Sequence, residues 1–279
     1  MSTIPSIVSF AGSRIAIECA DERCSDIARF LFCNVLTHDV PPSPLTLRLV
    51  PGMEPGTLNL YCNDWFVYGG ACHGTIASVL LNLAIERLVE MIGGGILLHA
   101  AALSLCGKGV ILPGVTGAGK TTLAAWLTSR GLDYLTDELV FVAENSTRAE
   151  GFTRPLSIKR AAAPLFAERV DFRSNGGVMN IPPGFLIQPT LLNAATVRTS
   201  PPVSALVFPL YIPHSDFELR PLSKAEAGVR LMACLVNRKN LLDHGFDEVV
   251  RLARVLPAYA MTYASFEQIG DCVEALLRT

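Results

Sequence analysis

One short stretch of the chain has the residue types and the spacing that bind polyphosphate. Residues 110–122 read VILPGVTGAGKTT, and residues 114–121 fit the pattern G-x-x-x-x-G-K-[ST] at every fixed position. Glycines keep side chains away, so that successive backbone N–H groups can converge on a phosphate. Lys120 would bring a positive charge to the β- and γ-phosphates, and the Thr121 hydroxyl could bind Mg²⁺. The predicted phosphate-binding residues are Gly114, Val115, Thr116, Gly117, Ala118, Gly119, Lys120, Thr121 and Thr122.

Two adjacent acidic residues follow this loop. Asp137 and Glu138 lie between two short strand-like runs within residues 131–142. Acidic residues at strand ends near such a loop can bind Mg²⁺ or accept a proton. A plain turn would also hold two adjacent acids, so the pair becomes informative only in its context.

Regular elements flank the loop on both sides. A strand-like run over 109–112 precedes it, and a helix over 120–130 follows and is stopped by Gly131. The N-terminus of that helix would point its unpaired N–H groups at the phosphates. Residues 96–105 and 110–113 predict a hairpin that leads directly into the loop. Since a simple doubly wound sheet enters its loop from an N-terminal strand, the sequence predicts a mixed sheet.

The rest of the chain indicates two regions, 1–73 and 74–279, which could also form one continuous domain. The first is β-rich, with a hairpin at Gly12 and a short helix over 26–36. The second begins with an amphipathic helix over 74–92.

Further along, two buried strands are predicted over 205–212 and 258–263. Helices are predicted over 223–236, 245–255 and 266–277, the first with Ser223 and Glu226 as a capping box. Residues 173–183 contain Ser-Asn-Gly-Gly and Pro-Pro and predict a mobile loop. The isolated His38 and His73 are predicted to be surface or capped residues, not ligands.

Composition argues against several classes of protein. Half of the residues are hydrophobic and 17% are charged, which predicts a large core and little disorder. The net charge of −2 gives no electrostatic case for a nucleic acid or a membrane as partner. No charge-free apolar run reaches the ~18 residues of a spanning helix. The eight cysteines have neither C-x-x-C nor zinc spacing, which predicts buried free thiols in a reducing cytoplasm.

Residues 97–142 resemble the catalytic core of the bacterial HPr kinase/phosphorylase family. That family has a histidine on the strand before the hairpin, a P-loop, a helix that ends in Arg-Gly, and then an acidic pair. Here His99, residues 114–121, Arg130-Gly131 and residues 137–138 follow in the same order at matching spacing. The family has Asp-Asp where this chain has Asp-Glu, and its usual P-loop serine is Thr121 here.

The resemblance implies an α/β fold, in which a mixed P-loop sheet is flanked by helices, with the β-rich region at the N-terminus. It also implies an ATP- and Mg²⁺-dependent kinase that acts on a serine or threonine hydroxyl of a peptide or small protein. Residues 152–159, FTRPLSIK, look like those of stand-alone members of bacterial peptide-modification clusters. Some of these phosphorylate a serine of a lasso-peptide precursor.

The same resemblance implies roles for individual residues. Asp137 would be the base and Glu138 a Mg²⁺ ligand, or the two roles would be exchanged. His99 would orient Asp137 or a phosphate oxygen, unless it is a hydrogen-bonded core residue. Candidates for charge stabilisation, each of which could instead be an ordinary surface cation, are Arg154, Lys159 and Arg238.

Several alternatives stay open at this level. The family's downstream Glu-x-Arg-Gly-like segment is not found, and neither is an obvious docking helix for HPr. A kinase of HPr itself, a kinase of a small metabolite, and a non-catalytic nucleotide sensor are the other functions to weigh. The resembled family forms hexamers, so a homo-oligomer is also open.

Overall fold

A computed structural model describes residues 6–37, 45–174, 176–194, 200–267 and 269–278, so His38 lies outside it. The strands are β1 (Ser6–Phe10), β2 (Ser13–Cys19), β3 (Leu36–Thr37), β4 (Thr46–Pro51), β5 (Leu58–Cys62), β6 (Trp65–Gly70), β7 (Gly95–Leu105), β8 (Lys108–Pro113), β9 (Asp133–Thr136), β10 (Leu139–Ala143), β11 (Glu150–Gly151), β12 (Leu156–Lys159), β13 (Val178–Ile181), β14 (Gly184–Ile187), β15 (Val203–Tyr211), β16 (Glu218–Pro221) and β17 (Ala258–Tyr263). The α-helices are α1 (Glu22–Phe32), α2 (His73–Met91), α3 (Lys120–Ser129), α4 (Lys224–Cys234), α5 (Phe246–Val255) and α6 (Gly270–Arg278). Short 3₁₀ helices span Arg160–Phe166, Pro189–Leu191, Arg238–Asn240 and Leu242–Gly245.

The N-terminal region is β-rich, as predicted. Its strands lie in the order β3-β1-β2-β4-β5-β6, and β1 and β2 form the expected hairpin. The helix expected over 26–36 begins four residues earlier, at Glu22, because the Asp21 carboxylate accepts a 2.8 Å hydrogen bond from the backbone N–H of Cys24 and caps it.

Helix α2 packs its apolar face on this sheet. Ile76, Leu80 and Leu88 share a buried cluster with the β-rich region, and Leu97 and Phe152 from beyond the helix join the same cluster. One core therefore crosses the boundary expected at 73/74, and that boundary stays a prediction. His73 is exposed at the start of α2.

The second sheet is mixed, which confirms the predicted fold class. Its order is β11-β10-β7-β8-β15-β17-β16; β8, β15 and β17 run parallel, and the other pairings are antiparallel. Helices α4 and α5 pack on one face through residues such as Leu231 and Leu252. Helices α3 and α6 pack on the other through Leu127 and Val273. The P-loop helix is thus held on a fully covered sheet.

Strand β7 is the element that organises the site. Both β9 and β10 pair with it antiparallel, with Thr136 opposite Ala102 and Leu139 opposite His99. Asp137 and Glu138, between β9 and β10, lie outside the regular pairing with β7. Glu138 keeps one backbone hydrogen bond to β7, in which its carbonyl accepts from the Ala100 N–H at 3.1 Å. The acidic pair therefore sits at a kink directly beside His99.

Three expectations about local structure are corrected. Residues 178–181 form β13, which pairs with β14, so the mobile loop expected over 173–183 is wrong for this part; Val178 and Ile181 are buried against the core. Helix α6 begins at Gly270, although the sequence predicts that it begins at Phe266. The Ser223 hydroxyl caps α4, but the Glu226 carboxylate bonds Arg220 and Arg230 and leaves the capping box half formed.

The cysteines, all within the described residues, are free thiols. Cys24 and Cys234 are buried, whereas Cys33, Cys72 and Cys106 are exposed, so the expectation of uniformly buried thiols is wrong. Within the described ranges, no helix has both the length and the apolar character that a membrane span requires.

Candidate active site

The P-loop connects β8 to α3 and owes its shape to two glycines. Gly117 and Gly119 both have φ of +90°, the left-handed region in which only glycine is unstrained. A Cβ on Gly119 would also lie 2.8 Å from the Tyr263 hydroxyl, whereas one on Gly117 would meet nothing within 4 Å. The backbone and its packing therefore both require glycine at position 119.

Lys120 is folded onto its own loop. Its side chain is buried, and Nζ donates to the carbonyl oxygens of Gly114 at 2.6 Å and Val115 at 3.1 Å. Burial lowers the pKa of Lys120. The ammonium group is thus positioned by the loop itself, at the start of the helix whose N-terminus favours anions.

A cleft of about 390 Å³, which we call the acidic cleft, lies beside the loop. Its lining brings the P-loop together with the acidic pair and His99. Val115 is exposed and Ala118 is buried, so these two loop residues offer backbone groups only. The lining residues are His99, Thr116, Gly117, Gly119, Lys120, Thr121, Thr122, Asp137, Glu138, Arg154, Ser157, Lys159 and Pro183.

The Asp137 carboxylate is fully buried and both of its oxygens are engaged. Oδ1 accepts a 2.8 Å hydrogen bond from the Tyr134 hydroxyl, and Oδ2 accepts a 3.2 Å hydrogen bond from Nη2 of Arg154. These two donors, a buried hydroxyl and a charged guanidinium, hold the carboxylate in a fixed orientation. Asp137 and Arg154 therefore hold each other in place inside the protein.

Glu138 is the more exposed of the two acids that line the cleft. Its side chain is 30% exposed, and Oε2 accepts a 2.7 Å hydrogen bond from Nη2 of Arg154. The other oxygen, Oε1, lies 3.7 Å from Nε2 of His99. Glu138 therefore keeps one oxygen that is held by no hydrogen bond within the described residues.

Arg154 connects the two acids from the inside of the protein. Its guanidinium is nearly buried, with 7% of the side chain exposed, and one nitrogen bonds both carboxylates. A buried guanidinium requires such partners, because an unpaired charge costs several kcal/mol to desolvate. The structure thus places one of the three predicted cations in the cluster.

The other two predicted cations lie elsewhere. Lys159 is exposed at the rim of the acidic cleft, at the end of β12. Arg238 is exposed in a 3₁₀ turn, and no ion pair or side-chain hydrogen bond in the described part of the chain joins it to the acidic pair. Arg238 is therefore not brought to the cluster.

His99 is half buried on β7, opposite Leu139. Burial and, after it, the nearby charge of Lys120 lower the pKa of His99 below its usual value near 6.5. The imidazole is accordingly neutral at pH 7 and can accept or donate through Nε2.

The sequence did not indicate the roles of Tyr134 and Ser157. Tyr134 lies in a strand whose pattern predicts only core, and its hydroxyl reaches Asp137 because the chain kinks three residues later. Ser157 lines the cleft from β12, which is placed by its pairing with β14. No local sequence motif indicates the contact of Tyr134 with Asp137 or the position of Ser157 in the cleft.

The donors in the cleft fit a magnesium ion. The Thr121 hydroxyl and the Glu138 carboxylate are hard oxygen donors that line the same space. In the described ranges, no group of three His, Cys, Asp or Glu side chains could hold a metal by itself. Phosphate oxygens would have to complete the shell, as is usual for Mg²⁺.

Comparisons with known proteins add little to this geometry. No protein-family model matches the chain, and no curated protein matches it. Among solved structures, the chain is similar to the HPr(Ser) kinase/phosphatase from Coxiella burnetii, with 14% identity and a TM-score of 0.32 over 65% of this chain and 93% of that one. A TM-score this low carries no argument, so membership of that family remains a proposal.

Proposed function

We propose that the protein is an ATP- and Mg²⁺-dependent kinase that phosphorylates a serine or threonine hydroxyl of a peptide or small protein. One observation carries the proposal: Lys120 and Thr121 of the P-loop and Glu138 of the acidic pair line a single cleft. Phosphoryl transfer depends on positioning and on charge stabilisation, and this cleft combines both.

We assign the proton-accepting role to Glu138. A serine hydroxyl is a poor nucleophile at neutral pH, so a nearby carboxylate should take its proton. Both Asp137 oxygens are occupied by Tyr134 and Arg154, whereas Oε1 of Glu138 is not. Glu138 thus takes the role of base that the sequence first gave to Asp137, whereas Asp137 is left without the Mg²⁺-binding role that a full exchange would give it.

The other cleft residues have supporting roles. Thr121 would hold Mg²⁺, which neutralises phosphate charge when it is bound. Lys120 and the loop amides would bind the phosphates, and Arg154 would keep Glu138 in place. His99, neutral and 3.7 Å from Glu138, would orient that carboxylate.

The exposure of Glu138 supports the proposed acceptor class. Its side chain is 30% exposed, so a hydroxyl presented on a peptide or small protein could reach it from solvent. The resemblance of residues 152–159 to stand-alone peptide-modifying kinases makes a lasso-peptide precursor the proposed member of this class.

The proposal is tested by incubating the protein with ATP, Mg²⁺ and candidate acceptors and recording their masses. A gain of one phosphate on a serine-containing peptide, lost when that serine is alanine, is expected. Lys120→Ala should abolish the gain and Arg238→Ala should not. Transfer to HPr or to a metabolite alone would contradict the peptide class, and ATP binding without any transfer would indicate a sensor.

Magnesium titration separates the roles of the two acids. Glu138→Gln should lower turnover by about 100-fold or more at saturating Mg²⁺, with an unchanged half-saturating concentration. A large rise in that concentration would instead make Glu138 the metal ligand. Asp137→Asn should weaken both turnover and stability, because it removes a buried partner of Arg154.

A further inference from the structure

A second cavity lies beside the N-terminal part of the P-loop helix. Its volume is about 560 Å³, within the range of roughly 300–1,000 Å³ that small-molecule sites occupy. Gly119, Thr122 and Lys159 line both this cavity and the acidic cleft. The two spaces are therefore neighbours that meet at the N-terminus of α3. We call the second one the aromatic cavity.

One wall of the aromatic cavity is a row of rings. Trp126 stacks on Phe266 with centroids 5.6 Å apart and planes 24° apart, Phe266 contacts Tyr263 at 5.7 Å, and Tyr263 contacts Tyr211 at 5.6 Å. Tyr211 is the most exposed of the four, and Tyr263 is buried. These residues come from α3, from the ends of β15 and β17, and from the segment before α6.

Another part of the lining consists of Ala161, Ala162 and Leu165 of the 3₁₀ helix Arg160–Phe166, and Leu165 is 53% exposed. The lining is mostly apolar, and its polar groups include those of Thr122, Lys159, Ser265, Glu267 and the two tyrosine hydroxyls. A flat apolar group with one polar edge is the kind of ligand that such a space accommodates.

We propose that the aromatic cavity binds the nucleobase of the nucleotide whose phosphates lie on the P-loop, an inference that rests on the proposed function. Lys120 and Thr121 line only the acidic cleft, whereas Thr122 lines both spaces. A nucleotide with its terminal phosphate beside Lys120 would extend over Thr122 into the aromatic cavity. The base would lie against the row of rings.

The same wall predicts weak selection among bases. Stacking on aromatic rings tolerates any base, because every base has a π-face. Discrimination needs donors and acceptors placed against the edge of the base, and the lining of this cavity is mostly apolar. We therefore expect ATP and GTP to bind with similar affinity.

Tryptophan fluorescence provides a direct test, because the chain has two tryptophans and only Trp126 lines the cavity. Trp65 is 81% exposed on β6, so Trp65→Phe leaves one reporter. ATP and GTP should change its emission at similar concentrations. Inorganic tripolyphosphate should compete with ATP without producing that change.

Variants of the rings make the test quantitative. Phe266→Leu should weaken ATP binding about tenfold and leave the affinity for tripolyphosphate unchanged, since base stacking contributes at this level. Tyr211→Leu, which changes a more exposed ring, is the second variant should Phe266→Leu fail to fold. Phe246→Leu, at an exposed phenylalanine on α5 outside both cavities, is the matched control.

The outcomes separate this inference from the function on which it rests. Equal affinities for ATP and tripolyphosphate, with no effect of the ring variants, would overturn the base site and leave the phosphate site standing. An emission change with an acceptor peptide and none with ATP would assign the cavity to the peptide and also overturn the inference. Ring-dependent ATP binding without phosphate transfer would support the base site while the kinase proposal fails. Binding of neither probe would overturn both.

Discussion

The Tyr134 hydroxyl donates a 2.8 Å hydrogen bond to Oδ1 of Asp137, and both side chains are buried. Burial, and after it the negative charge of Asp137, hold the pKa of Tyr134 well above its usual value, so the hydroxyl keeps its proton. Asp137, which the sequence predicted to be the base, therefore accepts a hydrogen bond from a hydroxyl that stays protonated. In the proposed mechanism, the role of Asp137 is to hold Arg154 in place.

Removing that donor should destabilise the fold. We expect Tyr134→Phe to lower the free energy of unfolding by about 1–3 kcal/mol, because it leaves a buried carboxylate oxygen without its partner. Urea unfolding measures the change. Tyr259→Phe is the control, since the Tyr259 hydroxyl makes no hydrogen bond in the described part of the chain. Equal losses for the two variants would contradict a specific role for the Tyr134 hydroxyl.

Removal of the Arg154 guanidinium should lower the free energy of unfolding by more than removal of the Tyr134 hydroxyl does. Arg154→Met leaves two adjacent carboxylates without their shared cation, and losing one partner of a buried pair costs about 3–5 kcal/mol. The exposed Arg220–Glu226 pair is the control, and Arg220→Met should stay within about 1 kcal/mol of the parent. Urea unfolding of both variants gives the comparison.

A double variant sharpens this test. Asp137→Asn combined with Arg154→Met should lower the free energy of unfolding by less than the sum of the two single changes, because the second change removes a buried charge that has already lost one of its two partners. Strict additivity would show that Arg154 and Asp137 do not act as a pair.

Gly117 and Gly119 of the P-loop should differ in how well they tolerate substitution by alanine. Gly119→Ala combines a left-handed φ with a Cβ 2.8 Å from the Tyr263 hydroxyl, whereas Gly117→Ala has the same φ and open space. We expect Gly119→Ala to lower the melting temperature further and to weaken nucleotide binding more. Adding Tyr263→Phe should recover part of the difference. If Gly117→Ala proves equally damaging, strain in the backbone alone is sufficient.

The cysteines should react in an order set by exposure and pKa. Cys72 is exposed at the N-terminus of α2, where hydrogen bonds with Thr75 lower the pKa of its thiol. Cys24 is buried, and its pKa is raised to about 12. Because the thiolate is the reactive form, iodoacetamide at neutral pH should modify Cys72 early and Cys24 only after unfolding.

Mass spectrometry of the digested protein follows this order. Cys106, exposed but outside any helix terminus, is the control for exposure alone. Modification of Cys24 in the folded protein at the rate of Cys72 would contradict the described packing of α1.

Much of the central fold could be read from local patterns. The hairpin β7–β8, the P-loop, α3 and the short strands around the acidic pair occur where periodicity and glycine placement put them. Local patterns succeed there because a helix or strand needs only a repeated apolar face. They failed for residues 178–181, where a strand forms because β14 is available to pair with it, in spite of neighbouring glycines and prolines.

By itself, the sequence determined the chemistry that is available: a phosphate-binding loop, a lysine, a threonine hydroxyl and two acids in a fixed order. The tertiary structure decided which acid has both oxygens engaged, since that depends on the contacts of Asp137 with Tyr134 and with Arg154, which lies 17 residues further along the chain. It also created the aromatic cavity, whose rings come from positions 126, 211, 263 and 266. The physical reason is that sequence periodicity specifies local backbone, whereas contacts between distant side chains depend on strand register and on packing.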